Sequence, residues 1–444
     1  MPRLFGTDGI RGVANVDLKP STAFALGRAT AHRLVEPGGT IVVGQDTRRS
    51  GDMFVAAIAA GATSMGVTVH SAGVVPTPAL AFLAADGEFA AGIMVSASHN
   101  PAEDNGLKVL DADGLKLDDA VEDELEQLIW RADELTGAPP DRLGIVVDAR
   151  DLIERYLVHR EGLARRVDAS GLRIVLDCAN GAMFEAAPQV IRGLGADVIA
   201  IHAEPNGQNI NDQCGATHPA DLRRAVIENE ADLGLAFDGD GDRVIAVDHA
   251  GEIVDGDRMI ALAALQLRDE GQLTNNTVVV TVMSNLGFHK AMGAAGIDVV
   301  TTPVGDRSVL EALDAGDYAV GGEQSGHIIY RHLATTGDGL LAGLRLARYA
   351  RTTGRQLADL AGNVMTSYPQ VLVNVEVADR HPAVAEELAD EIAAAEATLN
   401  SEGRVLVRPS GTEPLIRVMV EAPTQSMAQT TADGLADIVR ARFG

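Results

Sequence analysis

Three stretches of this chain repeat one order of parts, and that order limits the fold more than any other feature. Each has a β-branched run, a polar or glycine-bearing turn, an alanine-rich segment, a glycine and a second apolar run. They read "TIVVGQDTRRSGDMFVAAIAAGATSMGVTVHSAG", "LRIVLDCANGAMFEAAPQVIRGLGADVIAIHAEPNG" and "NTVVVTVMSNLGFHKAMGAAGIDVVTTPVGD". A strand–helix–strand unit returns its second strand parallel to the first, with a right-handed crossover. Gly66, Gly195 and Gly296 then fit helix C-caps. Pro188 falls inside the second helix, which predicts a late start or a kink. Three copies in the same order point to repetition rather than to coincidence of common α/β composition.

The pattern changes after Tyr368. "PQVLVNVEV", a long acidic helix through "AVAEELADEIAAAEATL", the runs "RVLV" and "LIRVMV", and a final helix to Phe443 read as β-α-β-β-α. Linkers are expected near Gly137 to Gly144 ("GAPPDRLG") and near Gly362 to Pro369. The expectation is three related α/β domains plus a smaller C-terminal α+β domain. Their boundaries are placed at 1–145, 146–252, 253–366 and 367–444.

Composition narrows the function. The 444 residues carry a net charge of −27, with 46% hydrophobic and 22% charged residues. A globular chain this acidic repels polyanions at long range, which argues against non-specific nucleic-acid or anionic-membrane binding. A small anionic substrate would need a local cationic pocket. Cys178 and Cys214 give no disulfide framework and read as buried thiols of a reducing compartment. "MPRLFGTDGIRG" lacks an apolar signal core, and no apolar run reaches membrane-spanning length. A cytoplasmic location is expected, so the Asn275 sequon carries no weight.

Four constellations carry chemistry. In "FDGDGDR", Asp238, Asp240 and Asp242 precede Arg243 at the end of a strand-like run. Glycines between the aspartates let a tight turn aim three carboxylates at one point, as a hard cation such as Mg²⁺ or Ca²⁺ requires. An EF-hand is excluded, because its sixth and twelfth positions should be Gly and Glu and are here Arg243 and His249. A solvated acidic turn explains the cluster less well, since three unpaired carboxylates repel one another.

In "GIMVSASHNPAEDNGLKV", a buried strand ends in a polar loop with Ser96, Ser98, His99 and, further on, Lys108. Any one serine there suits an ordinary turn. No nucleophile elbow or Ser-His-Asp order accompanies them. A metal-bound serine oxygen carrying a phosphoryl group fits better, because phosphoryl transfer needs positioning and charge more than covalent assistance.

"GGEQSGHII" alternates Glu323, Ser325 and His327, which extended backbone would project to one side. Acceptor, hydroxyl and imidazole suit vicinal sugar hydroxyls or an amine. "RPSGTEP" offers Arg408, Ser410, Gly411 and Thr412, with Arg417 in the next strand. Two arginines and two hydroxyls exceed what a hairpin turn needs and suit a phosphate. No GxxxxGK and no GxGxxG in strand–helix context is present, so NTP and NAD are not indicated. Arg11 in "FGTDGIRG" is a further anion contact, and Asp306 and Arg307 in "PVGDRSV" form a less specific pair.

These four elements, in this order, resemble the α-D-phosphohexomutase superfamily along essentially the whole chain. "FGTDGIRG", "NGQNINDQCGATHP" and Gln324 in "GGEQSGH" resemble its bacterial amino-sugar branch. The resemblance implies four domains around a central cleft. It implies Ser98 as the phosphoserine carrier and one Mg²⁺ per active site, held by Asp238, Asp240, Asp242 and the seryl phosphate. By similarity, Glu323, Ser325 and His327 touch the sugar, while Arg408, Ser410, Gly411, Thr412 and Arg417 bind the distal phosphate. Arg11, His99, Lys108 and Arg243 would surround the transferring phosphoryl, with Lys108 as an acid–base group. The implied reaction interconverts glucosamine 6-phosphate and glucosamine 1-phosphate through a 1,6-bisphosphate. A glucose or mannose phosphate mutase, or a catalytically silent sugar-phosphate sensor, stays open. The expected partner is the phosphosugar alone, with room left for a homodimer. Ser308 stands where family members often carry an aromatic residue.

Overall fold

The computed structural model describes residues 3–6, 8–164, 169–379, 381–400, 402–410 and 414–444. Two compact units result: Met1–Met283 with Ile297–Gly362, and Ser284–Gly296 with Asn363–Gly444.

The first unit holds three sheets, each with a parallel pair from one repeat. In the first, the strand order is Ile10–Val13, Asp104–Leu110, Ala91–Val95, Thr40–Gln45, Thr68–Val74, Val146–Asp148. Thr40–Gln45 lies parallel to Thr68–Val74, while Asp104–Leu110 runs antiparallel to both of its neighbours, Ala91–Val95 and Ile10–Val13. In the second, Ile253–Val254, Val244–Asp248, Leu233–Phe237, Arg173–Asp177 and Asp197–Ile201 follow in that order. In the third, Asp298–Thr302, Thr277–Thr281, Val320–Gly322 and Ile328–Tyr330 do so.

The repeat glycines cap their helices. Gly66 follows the helix Gly51–Ser64 at φ 87°, and Gly195 and Gly296 take φ 91° and 69° at the equivalent points. The helix Met183–Gly193 begins ahead of Pro188 and continues through it, so the late start expected of this helix does not occur, and the proline sits in the helix interior.

The second unit carries an antiparallel sheet in the order Gln370–Glu376, Leu415–Glu421, Arg404–Pro409. The helix Gln425–Phe443 packs Ala428, Ala432, Leu435 and Val439 onto it. The single long acidic helix expected before Arg404 is in fact two, Val384–Glu387 and Ala389–Thr398. Leu388, fully buried in the same core, leaves helical backbone at φ −112°, ψ 20°. Burying that side chain re-aims the chain.

Candidate active site

The strand Ala91–Val95 is buried at every residue, because it runs between two neighbours near the middle of its sheet. Its polar continuation therefore emerges from the core already fixed. Ser98 sits at φ 53°, a left-handed conformation unusual for a residue with a side chain. The surroundings hold it there. Ser96 Oγ accepts the Ser98 amide at 2.9 Å and donates to Asp46 Oδ2 at 2.6 Å. Arg48 Nε donates to that same carboxylate oxygen at 2.9 Å. Arg48 Nη2 donates to the carbonyls of Ser98 and Asn100 at 2.9 and 2.8 Å. Asn211 Nδ2 reaches those two carbonyls as well, at 2.9 and 3.0 Å.

The aspartate loop comes from the second sheet. Leu233–Phe237 is buried throughout, and the chain turns through Asp238 to Asp242 before Val244–Asp248 returns antiparallel. Gly239 lets this turn press on the serine loop, since a Cβ there would stand 2.5 Å from the Ser98 carbonyl oxygen. Ser98 Oγ donates to Asp238 Oδ2 at 2.6 Å. Lys108, paired in register with Met94, donates to Asp240 Oδ2 at 3.0 Å and lies 3.3 Å from Asp8. Thr77 Oγ1 donates to the same Asp240 oxygen at 2.6 Å.

The electrostatics of this cluster ask for a cation. One oxygen of each of Asp238, Asp240 and Asp242 lies within 4.8 Å of the others. Asp240 Oδ1 and Asp242 Oδ1 are buried without a hydrogen-bond partner, an arrangement that costs free energy unless something positive meets them. Burial, then Asp242 and Asp240, pushes the Asp238 carboxyl well above its usual range. An all-oxygen donor set fits Mg²⁺.

Around it stand the remaining cationic and imidazole groups. Arg243 donates its amide to Asp238 Oδ1 at 3.2 Å, and its Nη1 lies 3.2 Å from His99 Nδ1. Burial first, then Arg243 and Arg11, lowers His99 to about 4; its ring is neutral and its Nδ1 accepts. Burial opposes the Lys108 ammonium, yet Asp240 and Asp8 outweigh it and hold the proton on. Arg11 pairs with Asp8, Asp8 with Lys116, and Lys116 with Asp306.

The sugar loop departs from the alternation expected of it. Gly326 at φ 93° turns the chain, so Glu323, Ser325 and His327 do not share one side. His327 is buried, with Nδ1 3.6 Å from Asp242 Oδ2, and its Nε2 accepts the Gly337 amide at 3.1 Å. Burial opposes the imidazolium of His327, while Asp242, Asp306 and Glu323 raise its pKa. Glu323 accepts the Gly305 amide at 3.1 Å, and Ser325 is exposed. Arg307 is drawn onto the helix Asp119–Trp130, donating to Glu122 at 2.8 Å and pairing with Asp119.

In the second unit, Arg408 and Arg417 are directly opposed on neighbouring strands. Burial, then Arg417, lowers the pKa of Arg408, and an anion between like charges would relieve both. Ser410 is buried at the strand end. Gly411 and Thr412 lie outside the described residues.

Asp46, Arg48, Thr77 and Asn211 were not foreseen from sequence. The signal was present for two of them: "GQDTRRSG" puts an acid and a base two residues apart directly after a buried run, where only mutual pairing permits burial.

The chain matches all four domains of one family. They are phosphoglucomutase/phosphomannomutase alpha/beta/alpha domain I at residues 2–136, domain II at 154–251, domain III at 255–368 and the C-terminal domain at 372–438. It is 52% identical over 447 residues to the phosphoglucosamine mutase of Rhodococcus jostii, covering 99% of each chain. It is 52% identical over 451 residues to that of Mycobacterium tuberculosis, again covering 99% of each. Among solved structures, a phosphoglucomutase/phosphomannomutase family protein from Burkholderia thailandensis superposes with a TM-score of 0.81 at 24% identity, over 99% and 97% of the two chains. Aspergillus fumigatus N-acetylphosphoglucosamine mutase, solved with GlcNAc-6P and magnesium, superposes at 0.71 and 21% identity over 99% and 96%. With the serine and aspartate loops closed on each other as described, the chain belongs to the phosphoglucomutase/phosphomannomutase family of phosphoryl-transferring enzymes, on its phosphoglucosamine mutase branch.

Proposed function

We propose that the enzyme interconverts glucosamine 6-phosphate and glucosamine 1-phosphate, with Ser98 as phosphoryl carrier and glucosamine 1,6-bisphosphate as the priming intermediate. The observation that carries this is the Ser98 hydroxyl donating to Asp238 at 2.6 Å beside Lys108 on Asp240. Asp238, Asp240, Asp242 and the seryl phosphate would hold Mg²⁺, which supplies charge to the transferring group. Phospho-Ser98 gives its phosphoryl to O1 of the 6-phosphate; the P–Oγ bond breaks and the P–O1 bond forms. Lys108, held as the ammonium, gives a proton to the departing serine oxygen and is reprotonated by the proton that O1 loses. Arg243 and Arg11 balance the phosphoryl charge, and His99 orients through its Arg243 contact. The bisphosphate turns over and returns its 6-phosphoryl to Ser98.

Glu323, Ser325 and His327 are assigned to the sugar, and Arg408, Ser410, Gly411, Thr412 and Arg417 to the distal phosphate. The four-domain division at 145, 252 and 366 is part of the same reading, as is a cytoplasmic enzyme whose partner is its phosphosugar. Among the described residues, no helix is long and apolar enough to cross a membrane.

The test is intact-protein mass before and after exposure to glucosamine 1,6-bisphosphate, with the added phosphate mapped. Wild type should gain one phosphate on Ser98 and S98A none. Turnover by S98A at the wild-type rate would sink the assignment. Glucosamine, glucose and mannose 6-phosphates compared at equal concentration separate the amino-sugar reading from its two neighbours.

A further inference from the structure

We propose that Asp177, His202 and Cys214 form a second cation site, suited to one thiophilic divalent ion of the zinc class and separate from the Asp238 cluster. Asp177 ends the strand Arg173–Asp177, His202 follows the parallel neighbour Asp197–Ile201, and Cys214 lies in the loop after it. One donor atom from each of the three lies within 4.8 Å of the other two. Imidazole, carboxylate and sulfur together favour zinc-like ions over the hard cations that an all-oxygen cluster prefers.

The histidine is posed as a ligand. It stands at φ 47°, a left-handed backbone conformation uncommon for a residue with a side chain. Its outer nitrogen, Nε2, lies 3.3 Å from Asp221 Oδ2, and its inner nitrogen, Nδ1, lies 3.1 Å from Asp177 Oδ1. Nδ1 is shut away from solvent and makes no hydrogen bond of proper geometry. A carboxylate on the outer nitrogen with the inner one aimed at a second ligand is the arrangement that fixes metal-bound histidines. The 3.1 Å gap is near the ligand–ligand spacing that bonds of about 2.0–2.1 Å give around tetrahedral zinc.

The Asp177 carboxylate is equally fixed. Asp177 Oδ1 accepts the Ala179 amide at 3.0 Å and Oδ2 accepts the Gly215 amide at 2.9 Å, which leaves a lone pair on each. The Cys214 thiol is fully buried and shares the cluster with Asp177 and His202. A bound cation would displace its proton to solvent and coordinate the thiolate. The remaining occupant is a single proton, which would make His202 an imidazolium bridging Asp177 and Asp221. The same loop carries Asn211, whose amide donates to the Ala179 carbonyl at 2.9 Å, so an ion here would rivet two strand ends to the loop that clasps Ser98.

The experiment is a Co²⁺ titration of the full-length protein with Mg²⁺ in excess. The proposal expects one tight equivalent with a thiolate-to-cobalt charge-transfer band and intense tetrahedral absorption, both competed away by Zn²⁺. C214S should lose the band while still accepting phosphate on Ser98. H202Q should weaken binding at least tenfold. Co²⁺ in the aspartate cluster gives neither signal, because its ligands are oxygens. Wild-type protein saturated with Co²⁺ that shows no charge-transfer band overturns the proposal without recourse to any variant. So does a band that survives in C214S.

Discussion

Arg48 holds Ser98 by its backbone: Nη2 donates to the Ser98 carbonyl at 2.9 Å, while Nε of the same guanidinium is anchored on Asp46 at 2.9 Å. Both side chains of the Arg48–Asp46 pair have no solvent exposure. Removing one partner would strand the other charge in the core. Arg48→Met should cost about 3–5 kcal/mol of stability, measured by urea unfolding, and should lower the rate of Ser98 phosphorylation further than lost folded protein explains. Unchanged unfolding would show that the pair contributes nothing.

Gly239→Ala tests the closeness of the two loops. The added methyl would meet the Ser98 carbonyl oxygen at 2.5 Å and Asn211 Nδ2 at 2.8 Å, so one loop must retreat. Displacement near an ångström at a reacting group costs on the order of 100-fold. The prediction is a fall of that size in kcat together with a lower melting temperature, because the obstacle is backbone rather than the end of a flexible side chain. Activity near wild type would mean that the loops do not need this contact.

Asp240 serves Lys108, Thr77 and the cation position together. Asp240→Asn should therefore raise the Mg²⁺ needed for half-maximal activity by at least about tenfold. Chelation of the wild-type enzyme should abolish turnover and restore it on Mg²⁺ return. An unaltered Mg²⁺ response in the variant would remove Asp240 from the metal site.

The second unit should weaken in mild acid. His289 Nε2 is buried without a hydrogen-bond partner, and burial followed by Arg404 lowers its pKa. The unfolded chain takes up that proton near pH 6.5, while the folded chain still refuses it. The stabilising contribution is thus complete above that pH and is lost as pH falls toward the depressed folded value. Amide protection in Arg404–Pro409 and Leu415–Glu421, corrected for the base-catalysed fall in intrinsic exchange rate, should weaken from pH 7.5 to 5.5. His289→Gln should flatten that change; identical pH profiles would refute it.

Strand periodicity and turn chemistry are local, so the three repeats and the C-terminal β-α-β-β-α order were legible in the sequence. The aspartate turn was legible for the same reason, since its glycines and carboxylates are neighbours in the chain. The clamp on the serine loop was not. Asn211 stands 113 residues from Ser98, and no local pattern reports a contact made only when two sheets meet. The sugar loop failed for a smaller reason: the alternation presumed extended backbone, and Gly326 turned it. The division of the acidic helix at Leu388 was likewise invisible, because it answers to a core assembled from distant strands.

The left-handed backbone of Ser98 has a consequence for biosynthesis. Its hydroxyl acceptor comes from Asp238 and its carbonyl clamps from Arg48 and Asn211. A chain still emerging from the ribosome owns the hydroxyl long before it owns the pocket. The geometry around that oxygen comes into being only once residue 238 has been made and the second sheet has closed, so a truncated or half-folded copy carries the group without the surroundings that define its chemistry.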